Sequence, residues 1–130
     1  MTTYTQARNT AAYQQSSILT ASPEQLVVML YDGARRFLYQ SAAALREERY
    51  AQAWERLRRA ELIVDELLVT LDLEAGGRIA SDLQGLYVFF LRQLTEARAE
   101  RDADKLEWVS AQLGELRESW AQIAASAAAA

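Results

Sequence analysis

Residues 20–37 read TASPEQLVVMLYDGARRF, and the stretch is written as a helix from its first turn. Ser22 suits an N-cap, because its hydroxyl can accept from the orphan amides that open a helix. Pro23 falls at the first helical position, where a missing N–H costs nothing. Gln25 stands three residues after Ser22, the spacing of a capping box. Leu26, Leu30 and Phe37 then recur at helical spacing. Gly33 interrupts that same stripe, at roughly 1 kcal/mol relative to alanine. Beside it runs a second apolar row of Val27, Tyr31, Ala34 and Leu38. The helix is apolar over more than one face, which raises the question of what the second face meets.

Outward from this stretch the helical period continues. The first helix is expected over residues 23–46, ended by REERY at 46–50. The second runs from residue 50 to about 71, with Tyr50, Ala53, Leu57, Ala60, Val64, Leu67 and Leu71 at alternating steps of three and four. LDLEAGGRI, at 71–79, reads as the clearest loop, because Gly76-Gly77 ends a helix. The third helix is expected over about 79–98, with Leu83, Leu86, Phe90 and Leu94 inward. ERDADK supplies the last break, where Asp102 or Asp104 can cap a fourth helix carrying Leu106, Val109, Leu113, Leu116, Trp120 and Ile123. Helices of about 20 residues, each near 30 Å long and joined by short loops, predict an all-α, antiparallel up-down four-helix bundle. The expected organisation is a helical or extended N-terminal segment over 1–21, partly ordered, then the bundle over 22–125 and a disordered alanine-rich tail over 126–130.

Composition narrows the function. A chain of 130 residues is the size of one domain. It has no cysteine and no histidine, which removes disulfide scaffolds, histidine triads, and zinc or Glu-x-x-His di-iron sites together. Carboxylate neighbours such as Glu47-Glu48 and Asp65-Glu66 do not converge on a pocket, and Gly76-Gly77 lacks the following Lys-Ser/Thr of a phosphate loop. No catalytic residue, metal or cofactor is expected, and the chain is not expected to be an enzyme. A net charge of −4 argues against nucleic acid as a partner. No apolar run approaches the ~20 residues needed for membrane insertion. The polar opening MTTYTQARNTAAYQQSS is not a secretory signal, so the cytoplasm is the expected compartment.

What remains is a surplus of hydrophobic residues. A bundle helix needs about three inward positions in seven. The fourth helix keeps to that quota. The first adds Val28, Tyr31 and Tyr39, the second Leu62, Ile63 and Val69, and the third Tyr87, Val88 and Phe89. Either neighbouring elements cover these residues, or they line an apolar groove for another chain. The N-terminal segment, with Tyr4, Tyr13, Ile18 and Leu19 standing out of a polar background, could shield such a groove.

Three stretches in this order resemble the flagellar export chaperone family FliS: ASPEQLVVMLYDGARRFL at 21–38, LDLEAGGRIASDLQGLYVFFLRQL at 71–94 and LGELRESWAQI at 113–123, with Tyr13 suitably placed before the first. Asp82 departs from a frequent asparagine, and Phe89-Phe90 from a usual tyrosine-containing pair. The resemblance implies a chaperone that binds the C-terminal segment of flagellin, prevents premature polymerisation and presents the client to the cytosolic domain of the export gate. Within that reading the surplus residues put the expected client surface at Val28, Tyr31, Tyr39, Ile63, Tyr87 and Phe89, with Tyr4, Tyr13, Ile18 and Leu19 as its removable cover. A homodimer of the client-free chain is a possible further state. Two rival readings are a helical adaptor or regulatory bundle with a different protein client, and a self-associating structural bundle.

Overall fold

Ser22 caps the first helix as its sequence prescribes. Its Oγ accepts from the Gln25 amide at 3.1 Å, and its own amide donates to Gln25 Oε1 at 2.8 Å. The computed structural model describes residues 20–129, with side chains through Ser126. Four helices succeed one another there: α1 (Pro23–Arg46), α2 (Tyr50–Val69), α3 (Leu73–Glu100) and α4 (Ala103–Ala129). Each connection is three residues or fewer, so successive helices must run antiparallel. α1 packs most extensively on α2 and α4, and α3 closes the bundle against the same two helices.

The turns explain themselves locally. At the end of α1, Glu48 adopts φ 60°, and the Arg49 amide reaches back to the Ala44 carbonyl at 2.9 Å. Arg101 does the same after α3, with φ 54° and an Asp102 amide to Ala97 carbonyl bond of 2.9 Å. Both are left-handed helix stops that satisfy orphan carbonyls. Asp102 then caps α4 by accepting from the Lys105 amide at 3.0 Å.

Every helix contributes a row to one core. α1 supplies Tyr31, Ala34, Leu38, Ala42 and Leu45, and α2 supplies Ala53, Leu57, Ala60, Val64 and Leu67. α3 adds Leu83, Tyr87, Phe90, Leu94 and Ala97, and α4 adds Leu106, Val109 and Leu113. Burying each of the larger aliphatic side chains contributes roughly 1.5–3 kcal/mol. Alanines facing one another let α1 and α2 approach closely, and buried Ser41 donates across that contact to the Ala53 carbonyl at 2.7 Å.

Four expectations are corrected. In α1 it is the second row, through Tyr31, that enters the core, while Leu26 is exposed and Leu30 and Phe37 are only partly covered. On α3 the inward residue is Tyr87, not Leu86, because steps of 4-3-4-3 from Leu83 hold one face. α3 begins at Leu73 rather than near 79: Asp72 accepts from the Ala75 amide at 3.0 Å, and only Gly77, with φ 55° and ψ −131°, leaves the helical path. α4 continues helically to Ala129, past the expected end at 125, in keeping with alanine's helix preference. Residues 1–19, including Tyr4, Tyr13, Ile18 and Leu19, lie outside the described residues.

Candidate functional site

Several charged side chains in this bundle link one helix to another. Arg117 of α4 clasps Asp32 of α1 at 2.9 Å, and Arg98 of α3 pairs with the nearly buried Glu61 of α2. Arg46 bridges to Asp104 and Glu107 at the other end, and the Arg35 Nε–H donates to the Ser110 carbonyl at 3.1 Å. Among the described residues no group of three or more carboxylates is placed to hold a metal, and no helix is long and apolar enough to cross a membrane.

The distinctive surface is apolar. Leu62, Val69, Ile79, Val88, Phe89 and Trp108 are all exposed, Val69 and Ile79 by 77% and 74%. An open groove of about 800 Å³ runs along the outer seam of α1 and α2. Leu26, Val27, Met29 and Leu30, with Asp32 and Arg36, line it from α1, Glu66 from α2, and Thr70 from the turn that follows. Gly33 continues the seam: a Cβ there would stand 3.3 Å from Ile63 Cδ1, so the missing side chain makes room for Ile63 of α2. Phe37 closes that end beneath the guanidinium groups of Arg36 and Arg59, at 5.6 and 5.7 Å from its centroid.

The six residues expected on one client surface are not brought together. Tyr31 and Tyr87 are 0% and 1% exposed, and their hydroxyls bond to each other inside the bundle. Two phenols that face one another across a core satisfy their polar tips and gain burial, which an open groove would deny them. Burial, followed by the hydroxyl contact with Tyr87, raises the Tyr31 pKa far above its ordinary value near 10. Burial likewise raises that of Tyr87. Ile63 does sit on the α1–α2 seam. Half-buried Val28 lies instead on the α1–α4 side, beside Ala121 and Ala124. Exposed Tyr39 shares the helical row of Asp32 and Arg35, both of which reach α4. Phe89 meets Trp108 edge-on at 6.1 Å on the α3–α4 face.

The sequence left open which row of α1 enters the core, and its expected client surface passed over Leu26, Leu30, Met29 and Trp108. The signal was available in Gly33. A stripe broken by glycine cannot fill a core as well as the unbroken row beside it.

A bundle of this kind, with apolar seams left open, has the surface of a polypeptide-binding helical module. The sequence matches the family described as flagellar protein FliS over residues 4–127. It is 37% identical over 114 residues to the flagellar secretion chaperone FliS of Salmonella typhimurium, covering 87% of this chain and 84% of that one. Against the flagellar secretion chaperone FliS of Campylobacter jejuni the identity is 35% over 112 residues, 86% and 88% of the two chains. Against that of Bacillus subtilis it is 31% over 111 residues, 85% and 82%. The chain belongs to the FliS family of flagellar secretion chaperones, which are not enzymes.

Proposed function

We propose that this protein is a cytoplasmic chaperone whose client is the C-terminal segment of flagellin, held along the open α1–α2 groove. The observation that carries the reading is that groove: an apolar trough of about 800 Å³ floored by Leu26, Val27 and Leu30 on a fold whose interior is already filled. Apolar stretches of an unassembled client would otherwise associate with one another, and a chaperone that buries them keeps the client single. Ordering the client costs several kcal/mol of the gross interaction, which keeps release possible. Ile63 extends the groove, and Val28, Tyr39 and Phe89 serve as further contacts if the client wraps around to the α4 side. Tyr4, Tyr13, Ile18 and Leu19 act as the removable cover, the client-free chain pairs as a homodimer, and the loaded complex docks on the cytosolic domain of the export gate.

Titration with the C-terminal segment of flagellin tests this by calorimetry and circular dichroism. Helix gain and a negative heat-capacity change are expected. Leu26→Asp with Leu30→Asp should weaken binding at least tenfold while thermal unfolding stays cooperative. Unchanged affinity in that variant would remove the groove from the reading, and no binding to the wild-type chain would remove flagellin. Light scattering with and without the segment then separates simple self-association, since a dimer that the client dissolves fits this reading and an oligomer that persists beside the client fits a self-associating bundle.

A further inference from the structure

The α1–α2 groove is electrically lopsided along its length. At the Phe37 end, the guanidinium groups of Arg36 and Arg59 come from neighbouring helices to within 5.6 and 5.7 Å of one ring centroid. Arg59 shares a single carboxylate, Glu55, with Arg56, and Arg36 makes no ion pair with any described residue. Two guanidinium groups at one ring against a single carboxylate, itself shared with Arg56, leave positive charge in excess at that end. Towards the other end, Glu66 lines the groove without an ion pair to a described residue, while Asp32, one turn before Arg36, is paired with Arg117, which Glu118 shares. The dipoles of α1 and α2 oppose one another because the helices are antiparallel, so side-chain charge decides the field along the trough. From Leu26 to Phe37 the groove spans twelve residues of α1, about 16 Å, or three turns of an occupying helix.

Resting on the client-binding reading above, we infer that the groove accepts an amphipathic helix in one direction only, parallel to α1, with a carboxylate near its C-terminal end seated between Arg36 and Arg59. That direction also sets the negative end of the client's own dipole against the arginines and its positive end against Glu66. The floor supplies burial, and the charges at the two ends supply direction. A carboxylate brought to Arg36 and Arg59 relieves the repulsion between them and is met by groups that Phe37 already holds in place.

The absence of cysteine makes the direction directly readable, since Gln40→Cys and Thr70→Cys each give a single labelling site near one end of the groove. The probes are two synthetic peptides with the same leucine stripe, one with two glutamates in its last turn and one with them in its first. Each is about fourteen residues long, the groove's ~16 Å plus one turn. The first should bind roughly fivefold tighter, a difference that shrinks with added salt and disappears in Arg36→Gln/Arg59→Gln. A nitroxide at its C-terminus should quench a fluorophore at position 40 more than one at position 70. Equal affinities or the opposite quenching pattern would overturn the inference. The flagellin segment separates the two readings. Binding to wild type that the Arg36→Gln/Arg59→Gln variant retains in full defeats the directional seat and spares the client. No binding to wild type defeats both.

Discussion

Tyr31 on α1 and Tyr87 on α3 share a hydroxyl–hydroxyl bond across the bundle interior, their ring centroids 6.4 Å apart. The pair joins the two helices that lie diagonally across the bundle, where neither packs extensively on the other. Tyr31→Phe removes one partner and leaves the Tyr87 hydroxyl short of its bond in a dry place, a loss of about 1–2 kcal/mol. Tyr31→Phe/Tyr87→Phe removes both, and urea unfolding should show the double variant losing less than twice the single-variant cost.

The same pair sets an alkaline limit. Both phenols have folded pKa values raised above the ordinary value near 10, by burial first. The unfolded chain therefore releases these protons at lower pH than the folded one. Stability from this source is complete below pH 10 and falls as pH rises beyond it, by up to about 1.4 kcal/mol per pH unit for each tyrosine. Unfolding midpoints from pH 8 to 11.5 should be shallower in slope for the double phenylalanine variant, over a range set by ~10 as the unfolded reference.

Glu61 is nearly enclosed and depends on Arg98, which forks onto both of its oxygens. Arg98→Met strands that carboxylate between α2 and α3, and thermal unfolding should register a loss of roughly 1–3 kcal/mol. Glu61→Leu/Arg98→Met should recover most of it, because the charge needing a partner is gone.

Glu48 holds a left-handed conformation with φ 60° at the α1–α2 turn. A side chain there works against the backbone, at about 1 kcal/mol. Glu48→Gly should raise the unfolding midpoint, and Glu48→Val should lower it, while the helices keep their ends.

The boundaries of α1 were legible because a capping box and a proline mark one end and a charged, apolar-poor stretch marks the other. The core face was not. Val27-Tyr31-Ala34-Leu38 and Leu26-Leu30-Gly33-Phe37 lie one residue apart, and only the arrival of Tyr87 from a helix more than 50 residues away decides between them. On α3, Leu86 and Tyr87 are likewise adjacent, and hydrophobicity favours the wrong one until the Tyr31 hydroxyl is in place to satisfy a phenol. Surplus apolar residues could be counted from the sequence. Assigning them to one groove needed the seams between helices, which scatter Ile63, Val28 and Phe89 over three of them.

Gly77 divides α3 into a single opening turn and a long body, since its φ of 55° and ψ of −131° break the ladder between them. Almost every residue from Leu71 to Ile79 is open to solvent, whereas Tyr87, Phe90, Leu94 and Ala97 anchor the long body in the core. Melting of the short turn therefore stops at the glycine and does not spread. Deuterium should enter the amides before Gly77 orders of magnitude faster than those beyond Tyr87, giving the molecule a corner that breathes while its trunk stays shut.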